Sequence, residues 1–257
     1  MTLTRRDTLK LGLTGLGVTT IMPFYARAQD VEGDNYETDN GAITIHPVSH
    51  ASFVMTAPGM VVYNDPVGGA AAYEGLPPPD LILITHEHGD HYEPETLSAL
   101  IGAETQLVTN PAVYDMLPEE LKAKATAIAN GESTTVGEVS IDAIPAHNTT
   151  EDRLKYHPEG RDNGYVLTID GRRVYIAGDT EDIPEMRALS DIYIAFVPMN
   201  LPYTMDVDQA SSAVAEFAPA FVYPYHYKGS DTEAFAAKVA EADVPTKVVD
   251  GPWYEEA

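Results

Sequence analysis

The run Leu81, Ile82, Leu83, Ile84, Thr85, His86, Glu87, His88, Gly89, Asp90, His91 constrains this chain more than any other stretch. Its first four residues are apolar without a break. A strand with one wet face alternates polar and apolar residues, so an unbroken apolar strand asks for burial on both faces, as in the middle of a layered α/β sandwich. Three imidazoles and the Asp90 carboxylate follow at once. The loop leaving a strand end is where α/β sheets place ligands and catalytic groups. So many polar rings cannot all be satisfied inside a core, because each would need its own hydrogen-bond partner in a small volume. A histidine-rich surface loop is the plain alternative, but the whole chain holds only 8 His. With no Cys in the chain, any zinc-like site must be built from His, Asp and Glu.

The rest of the sequence supports a layered fold. Ile43–Ile45, Ser52–Thr56 and Met60–Tyr63 read as a strand meander ending at Asn64, Asp65, Pro66. Thr105–Thr109, Glu138–Ile144, Tyr165–Ile169, Arg172–Ala177, Asp191–Pro198 and Ala220–Tyr225 have strand character, with Asp170, Gly171 as a hairpin turn. Pro94–Ala103, Asn110–Met116, Val207–Phe217 and Asp231–Ala242 read as helices. Residues 29–40 are polar and acidic and read as a loose lead-in. No short-period repeat and no internal linker interrupts the chain, which predicts one domain over 29–257 with two β-rich halves, sheets inside and helices outside.

Residues 1–28 read as an export signal rather than as part of the fold. Arg5 and Arg6 precede an apolar stretch over 11–22, and Ala26, Arg27, Ala28 offer a small-x-small cleavage site before Gln29. The apolar stretch is shorter than the roughly 20 residues that span a bilayer, so no stable membrane span is expected. The formal net charge is -25. Such acidity speaks first for a solvated surface, and it argues against nucleic acid and anionic lipid as partners.

Further metal-ligand candidates recur just after strands. His147 follows the strand ending at Ile144, Asp179 follows the one ending at Ala177, and His226 follows Tyr225. Singly, each has a bland explanation: a half-buried structural histidine or a Gly-Asp turn. Their shared placement is what raises them.

These residues resemble the metallo-β-lactamase superfamily. The pattern T-H-x-H-x-D-H matches Thr85 to His91, and the family's later His, Asp and His match His147, Asp179 and His226. Within the superfamily the chain is similar to the branch of ascorbate-6-phosphate lactonase-like proteins, through His50, Ala51, Ser52; Asp65, Pro66; His157, Pro158 with Gly164, Tyr165; and Thr204, Met205 with Ala210. The similarity covers nearly all of residues 42–252, and the amino terminus resembles a twin-arginine (Tat) signal.

The resemblance implies a four-layer αββα sandwich binding two divalent ions, zinc first, with manganese or iron also fitting. His86, His88 and His147 would hold one ion, Asp90, His91 and His226 the other, and Asp179 would bridge them. Two such ions can share a hydroxide that attacks a small-molecule ester, lactone or phosphodiester. Asp90 would orient the attacking oxygen, and Asp65 could accept a hydrogen bond from a ligand imidazole. His157 could act as a general acid or touch substrate, and His50 would lie near the site. Arg153, Lys155, Arg161 and Lys228 are scarce positive charges beside the site loops; they read first as isolated surface charges. The lack of Cys argues against a β-lactamase of the main zinc class. Tat export would place the protein in the periplasm or outside the cell, with the Tat machinery and a small-molecule substrate as its partners. A non-hydrolytic metal-binding or redox protein on the same scaffold is the alternative.

Overall fold

The computed structural model describes residues 33–254; the proposed signal over residues 1–28 lies outside the described residues. Two seven-stranded sheets make up the centre. The first contains β1 (Asp34–Glu37), β2 (Ala42–Ser49), β3 (Ser52–Ala57), β4 (Met60–Asn64), β5 (Leu81–Ile84), β6 (Gln106–Thr109) and β7 (Ala125–Ala127). The second contains β8 (Ser133–Val136), β9 (Val139–Ala146), β10 (Asp162–Ile169), β11 (Arg172–Ile176), β12 (Ile192–Pro198), β13 (Phe221–Tyr225) and β14 (Lys247–Val248). In both sheets the strands lie side by side in sequence order.

The two halves repeat one topology. β1 to β4 pair antiparallel, and β4 to β7 pair parallel. β8 to β11 pair antiparallel, and β11 to β14 pair parallel. Parallel neighbours need crossovers, and helices supply most of them. Pro94–Leu100 joins β5 to β6, Pro184–Arg187 lies between β11 and β12, and Val207–Phe217 and Thr232–Glu241 make the next two connections. The repeat is one of strand order, which no short sequence period reveals.

Side-chain alternation then sorts the core into layers. Leu81 and Leu83 face the cluster between the sheets, while Ile82 and Ile84 face the cluster beneath the first-half helices. β12 does the same: Ile194 and Phe196 point between the sheets, Ala195 and Val197 beneath the second-half helices. Both faces of these strands are dry, which explains their unbroken apolar sequences. Phe53 stacks on Phe196 across the sheets with ring centroids 4.0 Å apart. Burying each such side chain is worth about 1.5–3 kcal/mol. The result is the αββα sandwich that the sequence predicts.

The lead-in differs from expectation. Residues 34–37 are not loose but form β1, paired with β2. Tyr36 explains it: the ring is buried, and its hydroxyl lies 2.5 Å from that of Tyr223, which donates to Asp34 at 2.7 Å. One aromatic residue among polar ones thus ties the edge strand to the opposite sheet.

Candidate metal centre

The site gathers at strand ends from both halves. β5 delivers Thr85 to His91, β4 delivers Asp65, β11 delivers Asp179 through Gly178, and β13 delivers His226. Gly178 has φ +66, and a Cβ there would come within 2.8 Å of the Asn163 carbonyl oxygen. Only glycine fits the turn that swings Asp179 inward. His50, Asp65 and His226 also sit at positive φ, of 55, 42 and 46. Left-handed backbone on non-glycine residues is costly and concentrates at functional sites. Here it is held by backbone bonds: Asp65 N–H to the Leu83 oxygen at 2.9 Å, and His226 N–H to the His50 oxygen at 2.9 Å.

The Asp179 carboxylate is the centre of the arrangement. Its oxygens lie 3.1 Å from His226 Nε2, 3.4 Å from His157 Nε2, 3.5 Å from His91 Nε2 and 3.9 Å from His86 Nε2. All five side chains are buried. Three sets of donor atoms lie close enough to hold a metal ion: His86, His88, His157; His50, Asp90, His91, His226; and His86, His91, Asp179, which joins the first two. Six of the 8 His in the chain therefore meet in one place.

His157, rather than the expected His147, lies with His86 and His88 in a set of donor atoms close enough to hold an ion. β9 ends at Ala146, and the Asn148 N–H then bonds the His157 oxygen at 2.8 Å. The loop therefore folds back and returns His157 to the strand end. His147 is held aside: its N–H bonds Thr180 Oγ1 at 3.1 Å, its carbonyl accepts from the Glu181 N–H at 3.0 Å, and its ring Nδ1 lies 3.3 Å from the Asn148 oxygen. Glu181 pins the loop. Its buried carboxylate accepts from the Thr149 and Thr150 N–H groups at 2.6 Å each, from both threonine hydroxyls, and from Arg153 at 2.7 Å.

Three of the four buried rings, those of His86, His91 and His157, have Nδ1 occupied and Nε2 aimed inward, while His226 has neither nitrogen hydrogen-bonded. His91 Nδ1 donates to Asp65 at 2.8 Å. His157 Nδ1 lies 3.0 Å from Asp162. His86 Nδ1 lies 3.0 Å from Thr85 Oγ1, which itself donates to Asp65 at 2.6 Å. Asp65 therefore serves both His91 and His86, and Asp162 is a supporting residue that no local sequence signal singles out. Carboxylate and hydroxyl partners of this kind fix the tautomer that leaves Nε2 free to ligate. The inward atoms His86 Nε2, His91 Nε2, His157 Nε2, His226 Nε2 and Asp179 Oδ1 are buried without a hydrogen-bond partner. Buried unpaired polar atoms are expensive, and so many around one point fit a divalent metal.

The electrostatics agree. Burial disfavours charge on His226, yet Asp179 and Asp90 outweigh it and push its pKa up to about 10. Burial opposes charge on His91 too, and Asp179 and Asp65 overcome it, so its pKa rises. For Asp179, burial is outweighed by His226 and His91, which hold its pKa well below the carboxylate range. For Asp90, burial is outweighed by His226 and His50, with the same direction. For His86 the help from Asp179 falls short, and burial together with neighbouring His91 pushes its pKa well below the usual imidazole value. Without metal, a proton on His226 helps balance the carboxylates, and a cation takes over that task by displacing it.

Two of the scarce positive charges are committed to carboxylates. Arg153 pairs with Glu181, and Arg161 bonds Asp162 at 2.7 Å and Glu87 at 2.8 Å.

Comparison with known proteins gives the family. Residues 44–226 match the family model described as a β-lactamase superfamily domain. The chain belongs to the metallo-β-lactamase superfamily. A UPF0173 metal-dependent hydrolase from Pyrococcus furiosus is 31% identical over 208 residues, covering 76% of this chain and 91% of the relative. The superfamily member is thus also a member of that family of metal-dependent hydrolases. A crystal structure described as a metal-dependent hydrolase, from Parabacteroides distasonis, shares 41% identity at a TM-score of 0.76, covering 84% of this chain and 97% of the other. The diiron β-hydroxylase CmlA from Streptomyces venezuelae shares the fold at a TM-score of 0.64 and 17% identity, covering 86% of this chain and 53% of its own.

Proposed function

We propose that this chain is an exported two-metal hydrolase of a small-molecule ester, lactone or phosphodiester. The observation that carries the proposal is the convergence of four buried Nε2 atoms on the Asp179 carboxylate, all within 3.9 Å. His86, His88 and His157 would hold one ion, Asp90, His91 and His226 the other, and Asp179 would bridge the two. Zinc suits the donors, and manganese or iron also fits. When bound, such ions supply a Lewis acid for the carbonyl or phosphoryl oxygen and lower the pKa of a water towards neutrality.

The side chains set the rest. Asp90 is exposed at 53% while His91 and His226 beside it are buried, so it stands at the mouth of the site. Its contacts to His50 and His226 run through Oδ2, which leaves Oδ1 for the attacking water. His157 has Nδ1 committed to Asp162 and Nε2 turned to Asp179, which suits a ligand better than a general acid. With Arg153 and Arg161 engaged, the site loop offers no free guanidinium to a phosphate, which favours a neutral ester or lactone.

The protein, purified with its metals, should hydrolyse members of a panel of lactones, phosphodiesters and phosphorylated sugars, with two ions per chain by elemental analysis. A single redox-active iron without hydrolysis would support the non-hydrolytic alternative instead. Export through residues 1–28 predicts that replacing Arg5 and Arg6 by Lys retains the protein in the cytoplasm; unchanged export would remove that part of the proposal.

A further inference from the structure

The carboxy-terminal segment reaches the metal centre through His50. The His50 N–H bonds the Trp253 carbonyl oxygen at 3.1 Å, and Trp253 itself is buried. The next residue places its hydroxyl 2.8 Å from His50 Nδ1. His50 Nε2 lies 3.0 Å from Asp90 Oδ2. The His50 ring also packs on that of His226, with centroids 3.9 Å apart. His50 therefore stands between the tail and the one exposed carboxylate of the site.

Hydrogen-bond chemistry orders this chain. An ionised carboxylate only accepts, so His50 Nε2 must carry the hydrogen. The backbone N–H groups of Lys228 and Tyr227 face the Tyr254 oxygen and take up its accepting capacity, so the hydroxyl hydrogen bridges to His50 and Nδ1 accepts it.

We propose that Tyr254 is a positioning residue of the metal centre: by donating to His50 Nδ1 it fixes the tautomer that donates from Nε2 to Asp90 Oδ2, and so orients Asp90 as a ligand. The ligand role of Asp90 rests on the two-metal reading above; the order of hydrogen bonds does not. Partners of ligating carboxylates change metal affinity by about 10–100-fold when lost.

Two measurements test it. Long-range proton–nitrogen spectra of histidine-labelled, metal-free protein report which ring nitrogen carries hydrogen, with His50 identified by the signal missing in His50→Gln. The expected result is hydrogen on Nε2 in the wild type and loss of that preference in Tyr254→Phe. Zinc affinity by chelator competition is the second. Tyr254→Phe should weaken the second ion by about 10-fold or more and leave the first unchanged. In the His50→Gln background the amide donates to Asp90 without help, so adding Tyr254→Phe should change nothing further. The phenylalanine keeps the ring contact with Tyr227, centroids 4.9 Å apart, so the tail stays in place. Hydrogen on Nδ1 in the wild type overturns the inference, as does a Tyr254→Phe protein with unchanged zinc affinities. A wild-type protein that takes up only one ion defeats the two-metal reading instead, and the spectra alone then decide the order of hydrogen bonds.

Discussion

Replacing Asp65 by Asn is the sharpest perturbation of the centre that leaves every ligand in place. Asp65 is fully buried and accepts three hydrogen bonds: from the Thr85 N–H at 2.8 Å, from Thr85 Oγ1 at 2.6 Å and from His91 Nδ1 at 2.8 Å. Asparagine is nearly the same size but has one accepting end. If its oxygen stays with the Thr85 N–H, its NH2 group faces both Thr85 Oγ1 and His91 Nδ1. His91 must then accept at Nδ1 and carry its hydrogen on Nε2, pointing at the place where the proposed metal would bind. Loss of such a partner costs about 10–100-fold in metal affinity, or about 1.4–2.7 kcal/mol. Leaving buried donors badly matched costs a further 1–3 kcal/mol of fold stability, to order of magnitude. Chelator competition with zinc and thermal melting of the metal-free protein read the two effects separately. An Asp65→Asn protein with wild-type zinc affinity would refute the reasoning, because it would show that His91 does not depend on this tautomer.

Three more outcomes follow from the same geometry. His157→Ala should lose one ion per chain by elemental analysis, while His147→Ala keeps both and keeps its activity; the reverse result would restore the assignment the sequence suggests. Asp90→Ala should abolish turnover with little change in melting temperature, since the side chain is 53% exposed; retained activity would exclude Asp90 from the chemistry. The raised pKa of His226 sets a direction with pH. Its imidazolium contribution to the metal-free fold is fully present below 6.5 and is lost as pH rises through about 10. Metal uptake must expel that proton, so affinity should rise between pH 6.5 and 10 with measurable proton release, and pH-independent binding without proton release would contradict this.

Part of the centre is legible in the sequence. Leu81 to His91 announces itself locally, because an unbroken apolar strand can only be buried on both faces and the polar run after it can only sit at its end. Asp179 and His226 are legible for the same reason. His147 misleads because two histidines flank one loop, and only the way that loop folds back decides between them. The Asn148–His157 backbone bond and the Glu181 carboxylate, 32 residues from Thr149, fix how it folds. β1 escapes a sequence reading because its polar residues hide one tyrosine whose partner, Tyr223, lies in the other sheet.

Layer order, strand ends and the kind of chemistry are written in the amino-acid sequence, since hydrophobic period and residue type act over a few neighbouring residues. Folding decides the rest: which imidazoles meet at Asp179, which carboxylates hold their outer nitrogens, and that Tyr254 at the far end of the chain stands behind His50. Those choices depend on distances between segments up to 204 residues apart, and no local pattern encodes them.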